Sequence, residues 1–413
     1  MLALLHRAPS FRLLFFATLG SGIGTTLALI ALMVDVYDRT GSDAWVAALL
    51  IVDFLPMLAI GLLLGPIVDR FPRRGLMIAA DLVRFGAFAA LPFAPNATTI
   101  VALAGVVGLA TGFFRPAVYA GLPGLVDEAD LPQANSLLQA VESITLLLAP
   151  LFGGLLLAAW GPDVPYVINA ATFVLSAALV ARIPARDLPA GESSSGGHWR
   201  DLAEGFRAVR HSRALLTVLV TWTIVMVGNG SHNVSEVVLA KVSLDGGNFG
   251  LGLLMAASGL GLTVGSLLGG TLLRRWAIEA AYGGAIALMA VGCALTAVSP
   301  NVWFAAVFLV LFGLGNGVAL VCNPLFVQRG ASDRVRGRVF ALIMSVNFTM
   351  LGLAIAVAGP ITDAVGARWV WAGAAAAYAV AAVVALALAR SARAEGRQAV
   401  RLATTTHARE HAR

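Results

Sequence analysis

Three ionisable side chains lie deep inside long apolar stretches of this sequence: Asp53, Glu142 and Arg115. A charge in the hydrocarbon interior of a membrane costs at least about 3 kcal/mol, so each such residue needs a function or a partner. A carboxyl group that loses its water favours its neutral form, which suits it to take up and release a proton. Asp53 and Glu142 are therefore candidate proton carriers, and Arg115 is their candidate counter-charge. The sequence leaves open a static buried ion pair between Arg115 and either acid.

Four further charged residues lie nearer the ends of apolar stretches. Asp35 and Glu236 each fall close to one end, where they belong to the rim of a bundle or to a wide entrance. Asp81 and Arg84 are three residues apart, a spacing that places them on one helix face as an ion pair. The sequence thus predicts one group of charges near the middle of a membrane and another near its surfaces.

These residues must be positioned by a chain that is too apolar for a water-soluble fold. Of its 413 residues, 59% are hydrophobic and 12% are charged, and the mean hydropathy is +0.86. A helix of about 20 apolar residues spans the ~30 Å hydrocarbon core of a bilayer. The sequence predicts an all-α membrane protein with twelve transmembrane helices, at residues 11–36, 44–68, 76–93, 99–122, 134–160, 164–180, 214–239, 249–273, 278–298, 302–326, 339–361 and 369–388.

The remaining residues argue against several other functions. Cys293 and Cys322 both lie in apolar stretches, without the spacing of a disulfide framework or a metal site. The only lysine, Lys241, precedes a valine, which excludes the Gly-Lys-Ser/Thr of a phosphate-binding loop. The net charge of +6 comes from arginines scattered over short loops, which indicates membrane topology rather than nucleic-acid binding. We expect no enzyme activity, cofactor, metal or nucleic-acid partner.

Positive charge is divided unequally between the two sets of loops. One side carries only Arg39, Lys241 and Arg368. The other side carries Arg7, Arg12, Arg70, Arg73, Arg74, the arginines of the central linker, Arg274, Arg275, those between 329 and 338, and the tail. Basic loops remain on the cytoplasmic side of a membrane. The sequence therefore predicts a multi-pass protein of the cell membrane with both termini and the linker in the cytoplasm.

The two halves of the chain repeat each other at a nearly constant displacement. Glycines recur 204 or 205 residues later: Gly61 and Gly65 as Gly265 and Gly269, Gly108 and Gly112 as Gly313 and Gly317, Gly154 and Gly161 as Gly359 and Gly366. Paired bundles can rock around a site near the midplane and expose it to either side. We predict two pseudo-symmetric six-helix bundles, 1–183 and 213–390, joined by a cytoplasmic linker, 184–212, and followed by a basic tail, 391–413, without regular structure.

The loop after the second span carries the most specific motif. It reads Gly65-Pro-Ile-Val-Asp69-Arg70-Phe-Pro-Arg73-Arg74. This run resembles the G-x-x-x-D-R-x-x-R-R signature of the major facilitator superfamily. The resemblance covers the whole chain in length, number of spans and position of the loop. It implies the major facilitator fold and a cytoplasmic gating loop formed by these residues.

The resemblance also implies how such a gate works. We expect Asp69 to bind the amino terminus of the eleventh span, where exposed amides and the helix dipole favour an anion. One of the three arginines of the motif is expected to meet Asp127 or Glu128 after the fourth span. Asp81 and Arg84, near the cytoplasmic end of the third span, would belong to the same latch.

A second motif lies in the fifth span. Pro150, Gly153 and Gly154 resemble the end of the G-P-x-x-G-G signature of exporters in the superfamily. The runs Phe113-Phe-Arg-Pro116 and Leu131-Pro-Gln-Ala-Asn135 are similar to the branch that contains macrolide-efflux and enterobactin-export proteins. These likenesses imply proton-coupled drug export.

The resemblance therefore implies a secondary active transporter. It would export amphipathic small molecules, such as drugs, macrolides or siderophore-like compounds, by proton antiport and alternating access. Lysophospholipid flipping or solute uptake by the same fold are alternatives, and a non-transporting membrane sensor or scaffold is an alternative of another class. Charges near the middle of the membrane favour transport, because a scaffold gains little from them. We expect a monomer in the lipid bilayer whose partners are the organic cargo and protons.

Overall fold

The fold is seen in a computed structural model, which describes residues 2–59, 71–189, 204, 206–210, 212–331 and 333–410. These residues form helices and short connections, with no β-strand among them. A short helix, Leu2–Arg7, precedes twelve long ones. In chain order the long helices are α1 (Pro9–Thr40), α2 (Asp43–Ala59), α3 (Arg73–Ala90), α4 (Ala97–Gly121), α5 (Leu131–Trp160), α6 (Asp163–Ala181), α7 (Arg213–Val238), α8 (Gly247–Leu272), α9 (Ile278–Ala297), α10 (Val302–Gly330), α11 (Asp333–Val365) and α12 (Ala367–Glu410).

The long helices have the length and composition of membrane spans. Eleven helices in the described part of the chain are long and apolar enough to cross the hydrocarbon core. The remaining one, α2, is described only as far as Ala59. The all-α membrane fold predicted from the sequence is confirmed, and twelve transmembrane helices are consistent with the structure.

The last helix is longer than predicted. The sequence predicts no regular structure from residue 391 onwards, whereas α12 continues to Glu410. This prediction was wrong for a compositional reason. The stretch is rich in Ala and Arg, which have high helix propensity, and it contains no proline. The basic tail is therefore a continuation of α12 as far as Glu410.

Single residues at the helix ends allow the connections to be short. α1 ends before Gly41, whose φ of +63° lies in the left-handed region that favours glycine. Asn96 accepts a hydrogen bond from a first-turn amide of α4, and Asn301 does the same for α10. These two caps are 205 residues apart, so the repeat read from the glycines extends to the helix ends.

The internal repeat is also visible in the packing within each half. Gly108 of α4 lies so close to α2 that a Cβ atom added to it would be 2.3 Å from the carbonyl oxygen of Asp53. Gly313 of α10 has the same relation to α8, since an added Cβ would be 2.2 Å from the carbonyl oxygen of Ser258. Both residues of the second contact lie 205 positions after those of the first. The pairs α2–α4 and α8–α10 are therefore equivalent.

Two helix crossings join the halves, and the same displacement relates them. Gly154 of α5 meets Gly252 of α8, where an added Cβ on Gly154 would be 2.9 Å from the Cα of Gly252. Gly359 of α11 meets Ala47 of α2, where an added Cβ on Gly359 would be 2.8 Å from the Cβ of Ala47. Close backbone approach of this kind is a main source of attraction between helices in lipid. The interface between the halves is therefore pseudo-symmetric.

Polar contacts distinguish the two ends of the bundle. At the end that holds the amino terminus and the linker, the terminal end, the Ser10 hydroxyl donates a hydrogen bond to the Asp187 carboxylate at 2.8 Å. At the opposite, distal end, Lys241, which follows α7, forms an ion pair with Asp38 of α1. Gly154 and Gly359 both lie in the distal portions of their helices. The two halves are thus joined on the distal side.

We expect the Gly252→Ala substitution to destabilise the protein. The new Cβ would lie 2.5 Å from the carbonyl oxygen of Pro150, and such overpacking costs about 1–3 kcal/mol. The apparent unfolding temperature in detergent should fall. Gly373→Ala is the matched control, because a Cβ there has nothing within 4 Å. Equal unfolding temperatures for the two variants would contradict the tight crossing of α5 and α8.

Candidate functional site

A cavity of about 300 Å³ lies within the N-terminal half, nearer the terminal end of the bundle than the distal end. Its walls come from α1, α3, α4 and α5. Most of the hydroxyl groups in the wall come from α1 and the others from α4 and α5: Thr18, Ser21, Thr25, Thr26, Thr111, Tyr119 and Thr145. Apolar side chains and three charged residues, Arg84, Arg115 and Glu142, form most of the remainder. A surface of this mixed character suits an amphipathic organic molecule.

The charged pair in the cavity is Arg115 and Glu142. The guanidinium of Arg115 on α4 lies 2.5 Å from the carboxylate of Glu142 on α5. The hydroxyl of Tyr119, one turn after Arg115, donates a hydrogen bond to the same carboxylate at 3.0 Å. Arg115 is half-exposed and Glu142 about one-third exposed in the cavity wall. The pair is therefore accessible to a bound molecule and can exchange its partners with one.

Asp53 is placed differently from Glu142. It is partly buried on α2, and it forms no hydrogen bond or ion pair with the residues that the structure describes. Its neighbour Phe54 contacts Phe348 of α11 with ring centroids 5.2 Å apart, which places this part of α2 at the interface of the halves. Arg115 is engaged by Glu142, so Asp53 is left without a counter-charge among the described residues.

Asp35 is held in a fixed network near the distal end. Its carboxylate lies 2.7 Å from Arg39 and accepts a hydrogen bond of 3.1 Å from the Tyr166 hydroxyl. Arg39 also donates to the carbonyl oxygen of Ala94 at 3.0 Å. Asp35 is buried. These contacts connect α1 with α6 and with the turn before α4. They stabilise the N-terminal half.

Asp81 and Arg84 form a buried ion pair on α3, with 2.5 Å between the charged groups. The Arg84 guanidinium lies over the rings of Phe114 and Phe173, 4.2 and 4.4 Å from their centroids. Such cation–π contacts add to the pair when it is desolvated. All four side chains belong to the N-terminal half, and Arg84 lines the cavity. The pair therefore braces one wall of the cavity.

The gating loop is described only in part. Gly65, Asp69 and Arg70 lie outside the described residues, as does any contact that they make. Arg74 donates a hydrogen bond to the carbonyl oxygen of Ala181 at the end of α6. Arg73 lies beside it in the first turn of α3.

Asp127 and Glu128, the expected partners of the motif arginines, are exposed after α4. A hydrogen bond from Arg74 to Ala181 satisfies a carbonyl group that the end of a helix leaves free. In the described part of the loop, the observed contact of Arg74 therefore lies within the N-terminal half.

The exporter motif lies at the interface of the halves. Pro150 is buried, and its carbonyl oxygen faces Gly252 of α8. Gly153 packs against Leu27 of α1, and Gly154 against Gly252. The motif therefore allows α5 to contact helices of both halves at once.

The C-terminal half contains a buried polar network. Tyr378 donates a hydrogen bond to the side-chain oxygen of Asn229 at 2.7 Å, and its hydroxyl lies 2.9 Å from Nδ1 of His232. One turn further along α7, Glu236 is 6% exposed. It makes no hydrogen bond or ion pair with the described residues. Glu236, like Asp53, is therefore an acid within a span that has no partner in the described part of the chain.

Two acids at the distal end are absent from the residues predicted from sequence. Asp43 begins α2, and Asp363 lies near the end of α11. They meet across the interface, where the Asp363 carboxylate accepts hydrogen bonds from the start of α2. A search for charges inside predicted spans omits both, because they lie just beyond residues 44–68 and 339–361. Their positions could have indicated them, because each acid lies at the end of a predicted span and the two ends lie on the same side of the membrane.

Twelve long helices in two pseudo-symmetric halves, with a partly polar cavity among them and a closed distal side, define a membrane transport protein. The chain belongs to the Major Facilitator Superfamily, whose sequence profile matches residues 14–355. The family predicted from the motifs is confirmed.

Two similar proteins carry the names of exporters. The chain is 28% identical over 377 residues to the multidrug efflux pump Tap of Mycobacterium tuberculosis, covering 87% of this chain and 88% of that protein. It is 25% identical over 372 residues to the putative bacilysin exporter BacE of Bacillus subtilis, covering 88% and 91%.

Solved structures share the fold. A bacterial homologue of the iron transporter ferroportin in the inward-facing state matches with a TM-score of 0.75 at 14% identity, covering 92% of this chain and 98% of that one. A bacterial homologue of the human lysosomal transporter Spinster, also inward-facing, matches with a TM-score of 0.73 at 15% identity, covering 93% and 97%.

We expect the Asp81→Leu variant to be strongly destabilised, because Arg84 would keep a buried charge without its partner. Breaking a buried pair in this way costs about 3–5 kcal/mol. The double variant Asp81→Leu/Arg84→Met should recover most of the loss, since it removes both charges. Heating followed by fluorescence-detected size-exclusion chromatography measures both. A single variant as stable as the double variant would show that the pair does not brace the cavity wall.

Proposed function

We propose that this chain exports amphipathic small molecules by alternating access. The cavity with its accessible Arg115–Glu142 pair carries the proposal. It lies among membrane helices, and the α5–α8 and α2–α11 crossings close the distal side. Separation of those crossings would connect the cavity with the distal side, and closure of the terminal side would complete the exchange. The relatives named as a multidrug efflux pump and a bacilysin exporter support an organic cargo and outward transport.

The terminal end is proposed to face the cytoplasm of the cell. The excess of arginine in the loops at this end supports that orientation. The cavity would then receive cargo from the cytoplasm. We propose that a monomer in the lipid bilayer is sufficient for transport.

Proton antiport is the second part of the proposal. Asp53 and Glu236 are ionisable groups within spans that have no partner among the described residues, which supports them as proton carriers. Glu142 has partners in Arg115 and Tyr119, so cargo that engages Arg115 would change the proton affinity of Glu142. Such competition for one group is a direct means of coupling cargo to protons. Asp35 is held by its network and has no part in this exchange.

We expect Asp53→Asn, Glu142→Gln or Glu236→Gln to reduce export. If loss of the proton raises the activation barrier of export by about 1.4 kcal/mol, the export rate falls about tenfold. The protein is expressed in cells that lack their major efflux pumps, and accumulation of a panel of dyes and macrolides is measured. A protonophore should abolish export by the unaltered protein.

Asp245→Asn is the control, since it removes an exposed acid between α7 and α8, outside the cavity. Membrane levels of all variants are compared first. Export that persists in the protonophore argues against proton coupling. Unaltered accumulation of every compound on expression of the unaltered protein would contradict the proposal of export itself.

A further inference from the structure

Asp43 is a buried acid without a partner at the distal interface. Its side chain is 0% exposed, and neither carboxylate oxygen has a hydrogen-bond partner among the described residues. It begins α2 where α11 of the other half crosses, since a Cβ added to Gly359 would lie 2.8 Å from the Asp43 carbonyl oxygen. Asp43 therefore lies in the interface that must separate when the distal side opens.

Asp363 of α11 is the acid that faces it. Its carboxylate accepts hydrogen bonds from the Ser42 hydroxyl at 2.6 Å, the Asp43 amide at 2.7 Å and the Ala44 amide at 3.2 Å. These amides form the free amino terminus of α2, where the helix dipole favours a negative charge. Asp363 therefore has the hydrogen-bond donors that suit a carboxylate and that Asp43 lacks. It attaches α11 to α2 across the two halves.

The other charged groups nearby give Asp43 no compensation. Tyr37, at the end of α1, has Asp43, Asp363 and Asp38 as its acidic neighbours. Of the cations of the other half at this end, Lys241 is paired with Asp38, and Arg368 donates hydrogen bonds to the carbonyl oxygens of Ala297 and Ser243. A carboxylate buried without water or a partner costs several kcal/mol, and a second negative charge beside it adds to that cost. In the closed interface the neutral acid is therefore the form of Asp43 that fits.

A proton reaches Asp43 from the distal side. One turn deeper along α2, Ala47 packs with Val234, Ile355 and Ala358 in a buried apolar cluster that contains residues of both halves. This cluster separates Asp43 from the middle of the membrane. When the halves part at the distal end, Asp43 meets water there and ionises. When they close again, it must bind a proton from the same side.

We propose that Asp43 is a proton-binding site of the distal gate, occupied when α2 and α11 close and empty when they part. This inference rests on the proposed alternating access. It adds a site that is separate from the cavity acids and that returns its proton to the side from which it came. Acid on the distal side would hold the gate closed, and alkaline medium would favour its opening.

The residue of the second half that is equivalent to Asp43 is uncharged. Asn248 lies 205 positions after Asp43, and its carbonyl oxygen would be 3.1 Å from a Cβ on Gly154 at the α5–α8 crossing. Its side-chain oxygen is likewise buried without a partner in the described residues. The equivalent crossing thus accommodates an uncharged amide of the same shape. Asp43→Asn therefore reproduces the protonated state with little steric change.

The distance between spin labels on the two halves reports the gate directly. Labels are attached to cysteines introduced at Thr98, in the first turn of α4, and Pro300, just before α10; both positions are exposed at the distal end. The two native cysteines are buried and do not compete for the label. Distances are measured on the full chain in lipid nanodiscs over a range of pH, without cargo.

In the unaltered gate the ratio of open to closed molecules should rise with pH, by at most tenfold per pH unit for one proton. Asp43→Asn should stay closed and lose this dependence. Asp38→Asn is the matched control, because it removes the other acidic contact between the halves at this end and should keep the dependence. A slope in Asp43→Asn equal to that of the unaltered protein overturns the proposal.

Two further measurements keep the inference distinct from the proposed function. Asp363→Asn should open the gate even in acid, because it weakens the attachment of α11 to α2 while the Asp43 side chain stays in place. A carboxylic-acid band in the infrared difference spectrum should disappear in Asp43→Asn. If the label distance never responds to pH while cargo export persists, the proton site is wrong and the export function stands. If cargo export is absent while the label distance responds to pH as expected, the proton site stands and the export function is wrong.

Discussion

Close approach of helix backbones at two equivalent crossings is the constraint on which the remainder of the structure depends. Lipid gives helices no hydrophobic reason to associate, so contact between them depends on packing and on hydrogen bonds. Gly154 and Gly359 allow that packing between the halves. Both crossings lie in the distal part of the bundle, and the cavity lies in the terminal part. The same contacts that hold the halves together therefore determine which side of the cavity is closed.

The charged residues divide into two groups according to their partners. Asp35 and Asp81 are buried with an arginine one helical turn away, and they stabilise the N-terminal half. Asp43, Asp53 and Glu236 have no partner among the described residues. A paired buried charge gains nothing by moving, whereas an unpaired one gains hydration or a proton when its surroundings change. Position in a span alone does not separate these groups, since Asp35 and Glu236 both lie near the distal ends of their helices.

The sequence predicted the fold better than the site, for physical reasons. Apolar length determines a span, and a constant displacement of glycines identifies two halves, so both can be read without coordinates. The i,i+3 spacing of Asp81 and Arg84 likewise determined their pairing, because one helix contains both. Which acid Arg115 engages depends on how α4 and α5 are placed, and the sequence left that open. Asp43 and Asp363 meet only because α2 crosses α11, so neither could be paired from the chain alone.

For α2 and α11, the sequence predicted a contact at one end, and the structure describes a different contact at the other end. From the motif, Asp69 at one end of α2 was expected to bind the amino terminus of α11, and that end lies outside the described residues. At the other end the described contact has the opposite sense, with Asp363 of α11 bound to the amino terminus of α2. The equivalent crossing has Ala158 in place of Asp363 and Asn248 in place of Asp43. The glycine packing is therefore symmetric between the halves, while the charge is not. The packing is symmetric, but only the α2–α11 crossing carries the acids. Such an interface can respond to protons without losing the contacts that define its closed form.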